Sequence, residues 1–222
     1  LAARNIAPAL AAGCSVILFP AEEAPGSAMS LVQCLHEAGV PAGVINLING
    51  SADTISPVLL NESRVRKISL TGSARVGKLL IKASAETLKR TSMELGGHAP
   101  VIIYADADAE AIAEQAALVK FKHCGQVCAS PSRYFIHESQ AEAFTNKFIE
   151  IAQNFKLGNG MESGIDIGPL ATKKRLKEVE LMVSGTLKSG ARLRLGGKRP
   201  EGFDRGFFYE PTVFDQVPDH AP

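Results

Sequence analysis

Short apolar segments alternate with longer amphipathic ones through the first half of the chain. This alternation restricts the fold more than any other feature of the sequence, because the apolar segments have strand length and end at breakers such as Pro20 and Asn49-Gly50. A strand–helix series of this kind predicts a parallel sheet with helices on both faces, and so an α/β fold. The predicted strands cover residues 15–19, 44–48, 66–70 and 90–95, and the predicted helices cover residues 2–12, 27–38, 74–85 and a short segment to about Leu60 that Asp53 or Thr54 caps.

The second half of the chain continues with both types of element. A strand at residues 101–104 precedes a helix that Asp106 or Asp108 caps and that runs to about residue 123. After a strand at residues 133–137, Ser139 and Glu142 form a capping box, which predicts the start of a further helix. An apolar stripe on that helix predicts a face that packs into the core; it consists of Phe144, Phe148, Ile151 and Phe155. A last helix is predicted over residues 172–189 and a last strand over residues 191–195.

Composition narrows the classes of function. The chain has 222 residues, of which 45% are hydrophobic and 21% charged, as is typical of one large or two small globular domains. The formal net charge of +1 predicts no basic surface for nucleic acid or an anionic membrane, and no apolar run reaches the ~18 residues of a membrane helix. The irregular spacing of the four cysteines predicts neither a disulfide framework nor a metal site. We therefore expect a cytoplasmic protein with a small-molecule substrate, no nucleic acid partner and no membrane.

A thiol and a carboxylate, each beside glycines, are the residues most suited to covalent chemistry. Cys128 ends the segment Gly125-Gln126-Val127-Cys128, and Glu94 begins the segment Glu94-Leu95-Gly96-Gly97. Glycines let backbone and substrate approach closely, and a thiol is the side chain most readily activated as a nucleophile near neutral pH. The pattern predicts a nucleophile and a base; the alternative is an inert buried cysteine and a loop glutamate.

Two loops at the ends of predicted strands have the character of a dinucleotide site. Thr71-Gly72-Ser73 lies before a helix, whose free N–H groups suit a phosphate, although Ser73 could also serve only as the helix cap. Glu22 follows another strand, where a carboxylate can bind a ribose; the alternative is a solvated surface residue. Because a carboxylate repels a 2′-phosphate, Glu22 favours NAD over NADP.

The order of these and other motifs resembles that of the NAD(P)-dependent aldehyde dehydrogenases. The resemblance covers essentially all 222 residues. The motifs that carry it are Ala7-Pro8-Ala9-Leu10-Ala11-Ala12-Gly13, Pro20-Ala21-Glu22, Leu70-Thr71-Gly72-Ser73, Glu94-Leu95-Gly96-Gly97, Gly125-Gln126-Val127-Cys128, Gly168-Pro169-Leu170 and Glu210-Pro211-Thr212-Val213.

The resemblance implies roles for individual residues. Cys128 matches the nucleophile, which forms a thiohemiacetal with the aldehyde and, after hydride transfer to the nicotinamide, a thioester. Glu94 matches the general base that activates water to hydrolyse the thioester. The implied cofactor-binding residues are Pro20, Ala21, Glu22, Gly50, Thr71, Gly72, Ser73, Val76, Leu95 and Gly96.

The implied fold is a Rossmann-like, parallel-sheet cofactor domain and an α/β catalytic domain of the aldehyde dehydrogenase fold. We expect residues 1–95 to form part of the first and residues 96–222 part of the second, with the fold truncated at both ends. The resemblance implies that a side-chain oxyanion donor lies upstream of Leu1 and a nicotinamide-ribose ligand downstream of Pro222. We therefore expect the 222-residue chain alone to be weakly active or inactive, and the full-length protein to be a homodimer or homotetramer.

Departures from the family pattern motivate alternatives. Phe19 stands where the family usually has Lys, and His123 where it usually has Asn. Phe19, together with the oxyanion donor and the nicotinamide-ribose ligand expected outside these residues, favours a catalytically impaired cofactor-binding fragment or pseudoenzyme. A CoA-acylating relative would not need Glu94, and a redox role for Cys124 with Cys128 is a third possibility. The segments around Cys128 and Gly96-Gly97 resemble the semialdehyde-oxidising branch, such as the succinate and 2-oxoglutarate semialdehyde dehydrogenases, which implies an aldehyde of the semialdehyde class as substrate.

Overall fold

The chain divides into two compact units at Gly96–Gly97. The computed structural model describes all residues 1–222, with Leu1–Gly96 in the first unit and Gly97–Pro222 in the second. The elements of the first unit are α1 (Ala2–Ala11), β1 (Val16–Leu18), α2 (Gly26–Glu37), β2 (Ile45–Leu47), α3 (Ala52–Asn61), β3 (Lys67–Gly72), α4 (Ala74–Ser84) and β4 (Arg90–Leu95). Those of the second are β5 (Val101–Ile103), α5 (Ala109–Phe121), β6 (Tyr134–Ile136), α6 (Glu138–Ala152), α7 (Lys173–Lys188), β7 (Arg192–Leu195) and β8 (Val213–Asp215).

The strands of the first unit pair in parallel, as the strand–helix alternation predicts. β1 pairs with β2 and β3 pairs with β4, so the carboxyl ends of each pair meet at one edge. The two pairs are separate ladders and not one continuous sheet, which differs from the expectation. The periodicity of a sequence indicates which residues share a face of a strand, but it does not specify which strands are neighbours.

Several helix starts differ from the predicted caps. Asp108 does cap α5, since its side chain accepts a hydrogen bond from the N–H of Ala111 at 3.1 Å. The N-cap of α3 is Ser51, so the assignment to Asp53 or Thr54 is wrong. The capping box at Ser139 is also wrong, because α6 already begins at Glu138 and His137 Nδ1 accepts the N–H of Ser139 at 3.3 Å.

The core of the second unit forms where α5 and α6 pack together. Ala113 and Ala117 on α5 are completely buried, and such small side chains let a neighbouring helix approach closely. Phe144 and Phe148 of the predicted stripe are buried opposite them, which agrees with the core interpretation. Phe155 lies beyond the end of α6 but still packs edge-on against Phe121, with ring centroids 5.7 Å apart.

The last two strands of the second unit, β7 and β8, pair in antiparallel fashion. The sequence did not predict β8. Asp215 on β8 pairs with Arg192 through two hydrogen bonds of 2.7 and 2.6 Å and also accepts one from Arg194. These hydrogen bonds lower the pKa of the Asp215 carboxyl, and those from Arg192 have the largest effect.

The turn after β7 contains Gly196, whose φ is +67° and whose missing β-carbon would lie 2.1 Å from the carbonyl oxygen of Pro211.

We expect Asp215→Asn to lower the free energy of unfolding by about 1–2 kcal/mol at neutral pH, the range for partly exposed charged hydrogen bonds. A carboxyl whose pKa is lowered in the folded state contributes stability above its unfolded pKa of about 3.9 and loses it as the pH falls through the folded value. Urea denaturation at several pH values should therefore show that the difference in free energy of unfolding between the unchanged protein and Asp215→Asn decreases below about pH 4. Asp204→Asn is the control, because Asp204 is exposed and has no ion pair; equal effects of the two substitutions would contradict the prediction.

None of the helices combines the length and the apolar character needed to span a membrane.

Candidate active site

Cys128 lies on a short turn that leaves it exposed. The turn comprises residues 127–130, is closed by a 2.9 Å hydrogen bond from the N–H of Ser130 to the carbonyl of Val127, and is called the nucleophile turn below. Cys128 occupies the second position of the turn and is exposed, whereas Ser130 is buried, with 5% of its surface exposed. The structure therefore presents the thiol on the surface of the second unit and does not bury it as an inert core residue.

Three consecutive left-handed residues reverse the chain between α5 and the nucleophile turn. His123, Cys124 and Gly125 have φ values of 50°, 58° and 70°, and α5 ends at Phe121, two residues before the predicted end at about His123. A left-handed conformation costs roughly 1 kcal/mol or more in a residue other than glycine. A distant segment supplies contacts that stabilise it.

The stabilising contacts come from residues 168–171. The Cys124 thiol donates to the carbonyls of Gly168 and Pro169 at 3.0 and 3.4 Å, and Gln126 Oε1 accepts the N–H of Ala171 at 3.1 Å. Burial raises the pKa of the Cys124 thiol. A cavity of about 410 Å³ lies at this junction, lined by His123, Cys124, Gln126, Gly160, Ile165, Asp166, Gly168, Pro169 and Ala171. All four cysteines are free, and Cys124 serves here as a hydrogen-bond donor.

Three further contacts hold the nucleophile turn and the residues after it. The Ser130 hydroxyl donates to the carbonyl of Lys120 at 3.0 Å. Lys120 Nζ lies 3.4 Å from the hydroxyl oxygen of Ser130. The Ser132 hydroxyl donates to the carbonyl of His98 at 2.8 Å. The sequence interpretation did not include Lys120, Ser130 or Ser132. The available signal was the two serines just after Cys128, since serine hydroxyls commonly stabilise turns.

In the first unit, the ends of β3 and β4 bring together one group of the predicted residues. Thr71 is in register with Glu94 and Gly72 with Leu95. Ser73 caps α4 by accepting the N–H of Val76 at 3.3 Å, so its helix-capping role is present in the structure. Gly96 follows β4 directly. This edge therefore carries Glu94 and the start of α4, and the free N–H groups at that helix start are the part that suits an anionic group.

A second group of predicted residues lies after β1 and β2. Pro20, Ala21 and Glu22 follow β1, and Gly50 follows β2 with a φ of +150°. Glu22 Oε1 accepts the N–H of Ala52, the first residue of α3, at 3.2 Å. The carboxylate is exposed and its other oxygen remains available to a ligand.

The Glu94 carboxylate lies near one cation of its own unit. Arg4 Nη1 is 3.8 Å away, and the side chains are 67% (Arg4) and 50% (Glu94) exposed. Exposed pairs of this kind contribute about 0–1 kcal/mol, so the contact leaves Glu94 free to exchange partners. No group of three or more His, Cys, Asp or Glu side chains is arranged to hold a metal ion.

The sequence matches the profile of the aldehyde dehydrogenase family over residues 1–222. The chain belongs to the aldehyde dehydrogenase family. The family resemblance inferred from the motifs is thereby confirmed.

Relatives and solved structures agree with this assignment. The chain is 46% identical over 214 residues to the 3-sulfolactaldehyde dehydrogenase of Pseudomonas putida, covering 96% of this chain and 44% of the relative. It is 38% identical to the succinate-semialdehyde dehydrogenase [NADP(+)] GabD of Escherichia coli, covering 98% of this chain and 45% of that protein.

Among solved structures, 3,6-anhydro-L-galactose dehydrogenase in complex with NAP superposes with a TM-score of 0.94 at 36% identity, covering 99% of this chain and 46% of the other. A mutant of aldehyde dehydrogenase C from Pseudomonas syringae, complexed with NAD+ and octanal, gives a TM-score of 0.93 at 34% identity, covering 97% and 45%. The predicted fold class, the α/β aldehyde dehydrogenase fold, is confirmed. The chain spans a little under half the length of these relatives.

Proposed function

We propose that the whole protein oxidises an aldehyde to a carboxylic acid with a nicotinamide cofactor, and that this chain supplies the nucleophile, the base and much of the cofactor site. The observation that carries the proposal is the exposed Cys128 in a segment held by hydrogen bonds of Cys124, Ser130 and Ser132, in a chain of the aldehyde dehydrogenase family. We assign residues 1–95 to a partial cofactor domain and residues 96–222 to a partial catalytic domain. The division of the structure at Gly96–Gly97 supports this assignment.

The proposed reaction uses Cys128 and Glu94 in turn. The Cys128 sulfur bonds to the aldehyde carbon as the carbonyl π bond opens, and the proton lost by the thiol is balanced by one taken up at the carbonyl oxygen, which gives the thiohemiacetal. A bound nicotinamide cofactor would supply the acceptor for the hydride of that carbon, and loss of this hydride with the hydroxyl proton would turn the adduct on Cys128 into a thioester. Glu94 takes a proton from water as its oxygen attacks the thioester, and the carboxylic acid leaves while the thiol is restored. The backbone N–H of Cys128 would donate to the carbonyl oxygen of the adduct.

The residues of the first unit fit a dinucleotide. The free N–H groups at the start of α4 suit the pyrophosphate, with Thr71, Gly72, Ser73 and Val76 around them. Glu22, after Pro20 and Ala21 at the end of β1, suits a ribose hydroxyl, and Gly50 lies near it in the chain that precedes α3. We assign Leu95 and Gly96, beside Glu94, to the nicotinamide end.

We propose NAD as the preferred form of the cofactor. The Glu22 carboxylate would repel a 2′-phosphate, and Phe19 supplies no cation to bind one. NADP is the alternative, since the GabD relative is named for NADP(+) and one structural neighbour is complexed with NAP.

We expect Glu22→Gln to raise affinity for NADP relative to NAD by roughly tenfold, because it removes about one charge–charge repulsion at short range. Titration calorimetry with each cofactor measures the ratio. Glu23→Gln is the control, since Glu23 is the neighbouring exposed glutamate and has no assigned ligand contact. An unchanged ratio in Glu22→Gln would show that Glu22 does not select the cofactor.

We propose an aldehyde with a distal anionic group as substrate. Relatives of this chain are named succinate-semialdehyde, glutarate-semialdehyde and 3-sulfolactaldehyde dehydrogenases, and each of these aldehydes carries a carboxylate or sulfonate. We further propose that the whole protein is a cytoplasmic homodimer or homotetramer. The four free cysteines support a reducing compartment, and the family resemblance supports the assembly.

The test is the intact mass of the chain after incubation with succinate semialdehyde and NAD, compared with Cys128→Ser. We expect an adduct that is absent from the variant, and less adduct with butanal, which has the same carbon chain and no carboxylate. No adduct on the unchanged chain, with NAD binding retained, would show that these 222 residues alone do not form a competent nucleophile, and would favour a cofactor-binding fragment or pseudoenzyme. Formation of acyl-CoA when CoA is added would instead favour the CoA-acylating alternative.

A further inference from the structure

Cys124 is a half-buried thiol that takes no part in the proposed reaction. It donates to two backbone carbonyls of a distant segment, at 3.0 Å to the oxygen of Gly168 and 3.4 Å to that of Pro169. A thiol has a single hydrogen, so the nearer carbonyl of Gly168 is its main acceptor. Burial raises the pKa of the Cys124 thiol, which keeps it protonated, and therefore a donor, at neutral pH.

Gln126 makes a second contact with the same distant segment. Its Oε1 accepts the N–H of Ala171 at 3.1 Å, and its Nε2 donates to the carbonyl of His123 at 3.4 Å. The backbone N–H of Gln126 donates to that carbonyl as well, at 3.0 Å, and closes a turn over residues 123–126. The side chains of Cys124 and Gln126 therefore fasten this turn to residues 168–171 at two points.

The turn over residues 123–126 needs this support. His123 and Cys124 have φ values of 50° and 58°, which is unfavourable for residues with a β-carbon. The combined strain of two such residues is comparable with the net contribution of two or three ordinary hydrogen bonds. Loss of either contact to residues 168–171 should therefore let the turn relax toward other conformations.

Cys128 lies between two side chains that are held in this way. Gln126 is two residues before it and contacts Ala171, whereas Ser130 is two residues after it and donates to the carbonyl of Lys120 at 3.0 Å. The turn over residues 123–126 leads directly into the nucleophile turn, which begins at residue 127. A change of backbone angles in the first turn therefore reorients the chain that enters Cys128, including the N–H proposed to bind the carbonyl oxygen of the adduct.

We propose that Cys124 is a positioning residue for Cys128, whose thiol fastens the turn before the nucleophile turn to residues 168–169 and so fixes the direction in which Cys128 is presented. The role rests on the proposed function, in which Cys128 is the nucleophile. A nucleophile held in one orientation forms its adduct faster than one of equal reactivity in variable orientation. The role requires a hydrogen-bond donor at position 124, so serine should replace this cysteine and alanine should not.

The first measurement is amide hydrogen exchange of the folded 222-residue chain at neutral pH, read by peptide mass spectrometry. The variants are Cys124→Ala, Cys124→Ser and Gln126→Leu, of which the last removes the acceptor for the N–H of Ala171. Cys34→Ala is the matched control, because Cys34 is an exposed thiol of the first unit.

In Cys124→Ala and Gln126→Leu, residues 122–131 and 167–172 should exchange about three- to tenfold faster, the factor that corresponds to one lost hydrogen bond. The packed helices α5 and α6 should exchange as before, which separates release of the turn from a general loss of stability. Cys124→Ser should stay within about twofold of the unchanged chain, since it keeps a donor. Cys34→Ala should leave both segments unchanged.

The second measurement compares two reactions of Cys128 in the same variants. Formation of the adduct with succinate semialdehyde and NAD requires a defined orientation, and Cys124→Ala should slow it by about tenfold or more, since a misplacement of about 1 Å can cost 10²-fold. Alkylation by iodoacetamide requires only an exposed thiol and should change by less than about twofold. Cys124→Ser should restore the rate of adduct formation.

Equal exchange of residues 122–131 in Cys124→Ala and Cys34→Ala would overturn the proposal. Equal slowing of adduct formation and alkylation would also overturn it, because the reactivity of the thiol and not its orientation would then have changed. If Cys124→Ala fails to fold, faster exchange of residues 122–131 in Cys124→Ser would overturn it, since that variant keeps the donor. If the unchanged chain forms no adduct, these residues alone are not a competent nucleophile, whereas hydrogen exchange still decides whether Cys124 holds the turn.

Discussion

Glu94→Gln should prolong the acylated state of Cys128 by about 10²–10⁴-fold, the range over which a positioned general base accelerates a reaction. Glutamine has the shape of glutamate but cannot accept a proton from the attacking water. Formation of the adduct does not use Glu94 in the proposed sequence, so acylation should proceed while hydrolysis slows. The measurement is the decay of the adduct mass after excess aldehyde is removed.

The matched control is Glu86→Gln, an exposed glutamate in the same unit that lies outside the candidate site. It should leave the decay rate of the adduct unchanged. If the adduct on Glu94→Gln disappears as quickly as on the unchanged chain, Glu94 is not the base. If no variant forms an adduct, the assignment of Cys128 as the nucleophile fails first, and the two failures remain separate.

Gly196→Ala should lower the free energy of unfolding by more than about 3 kcal/mol or prevent the second unit from folding. A β-carbon there would lie 2.1 Å from the carbonyl oxygen of Pro211 and 2.9 Å from its carbon, and backbone atoms cannot rotate away as a side chain can. The residue also has a φ of +67°, so alanine adds conformational strain. Urea denaturation followed by circular dichroism measures the loss.

Gly202→Ala separates the two causes. Gly202 has a similar φ of +77°, but nothing lies within 4 Å of its missing β-carbon. It should therefore show only the conformational strain, about 1–2 kcal/mol. A loss at Gly196 no larger than that at Gly202 would mean that the chain around Pro211 moves aside, and the predicted steric effect would be wrong.

Local signals in the sequence predicted the elements whose formation depends on neighbouring residues. Asp108 and Ser73 are favourable caps and both cap helices, and the alternation of strands and helices indicated parallel pairing. The start of α6 was missed because a ring nitrogen of His137 acts as the cap, a role that helix-capping statistics assign to hydroxyl and carboxylate side chains. The end of α5 was missed because His123 and Cys124 adopt a conformation usual only for glycine.

Contacts between distant residues could not be predicted from patterns of this kind. Asp215 and Arg192 are 23 residues apart, Glu22 and Ala52 are 30 apart, and Cys124 and Gly168 are 44 apart. Each depends on which segments become neighbours after folding. For the candidate site, the sequence therefore indicated Cys128 and Glu94 as the proposed reactive groups, whereas the hydrogen bonds that hold the nucleophile turn were found only in the structure.

The 44-residue separation between Cys124 and Gly168 has a consequence for the order of events during folding. The helix before the nucleophile turn can form from local contacts, but the left-handed segment depends on partners that are synthesised much later. Contacts of large sequence separation form only after the intervening chain has lost its conformational freedom. We therefore expect the Cys128 thiol, the proposed nucleophile, to reach its final orientation late, so that a nascent chain exposes Cys128 before the turn that presents it is complete.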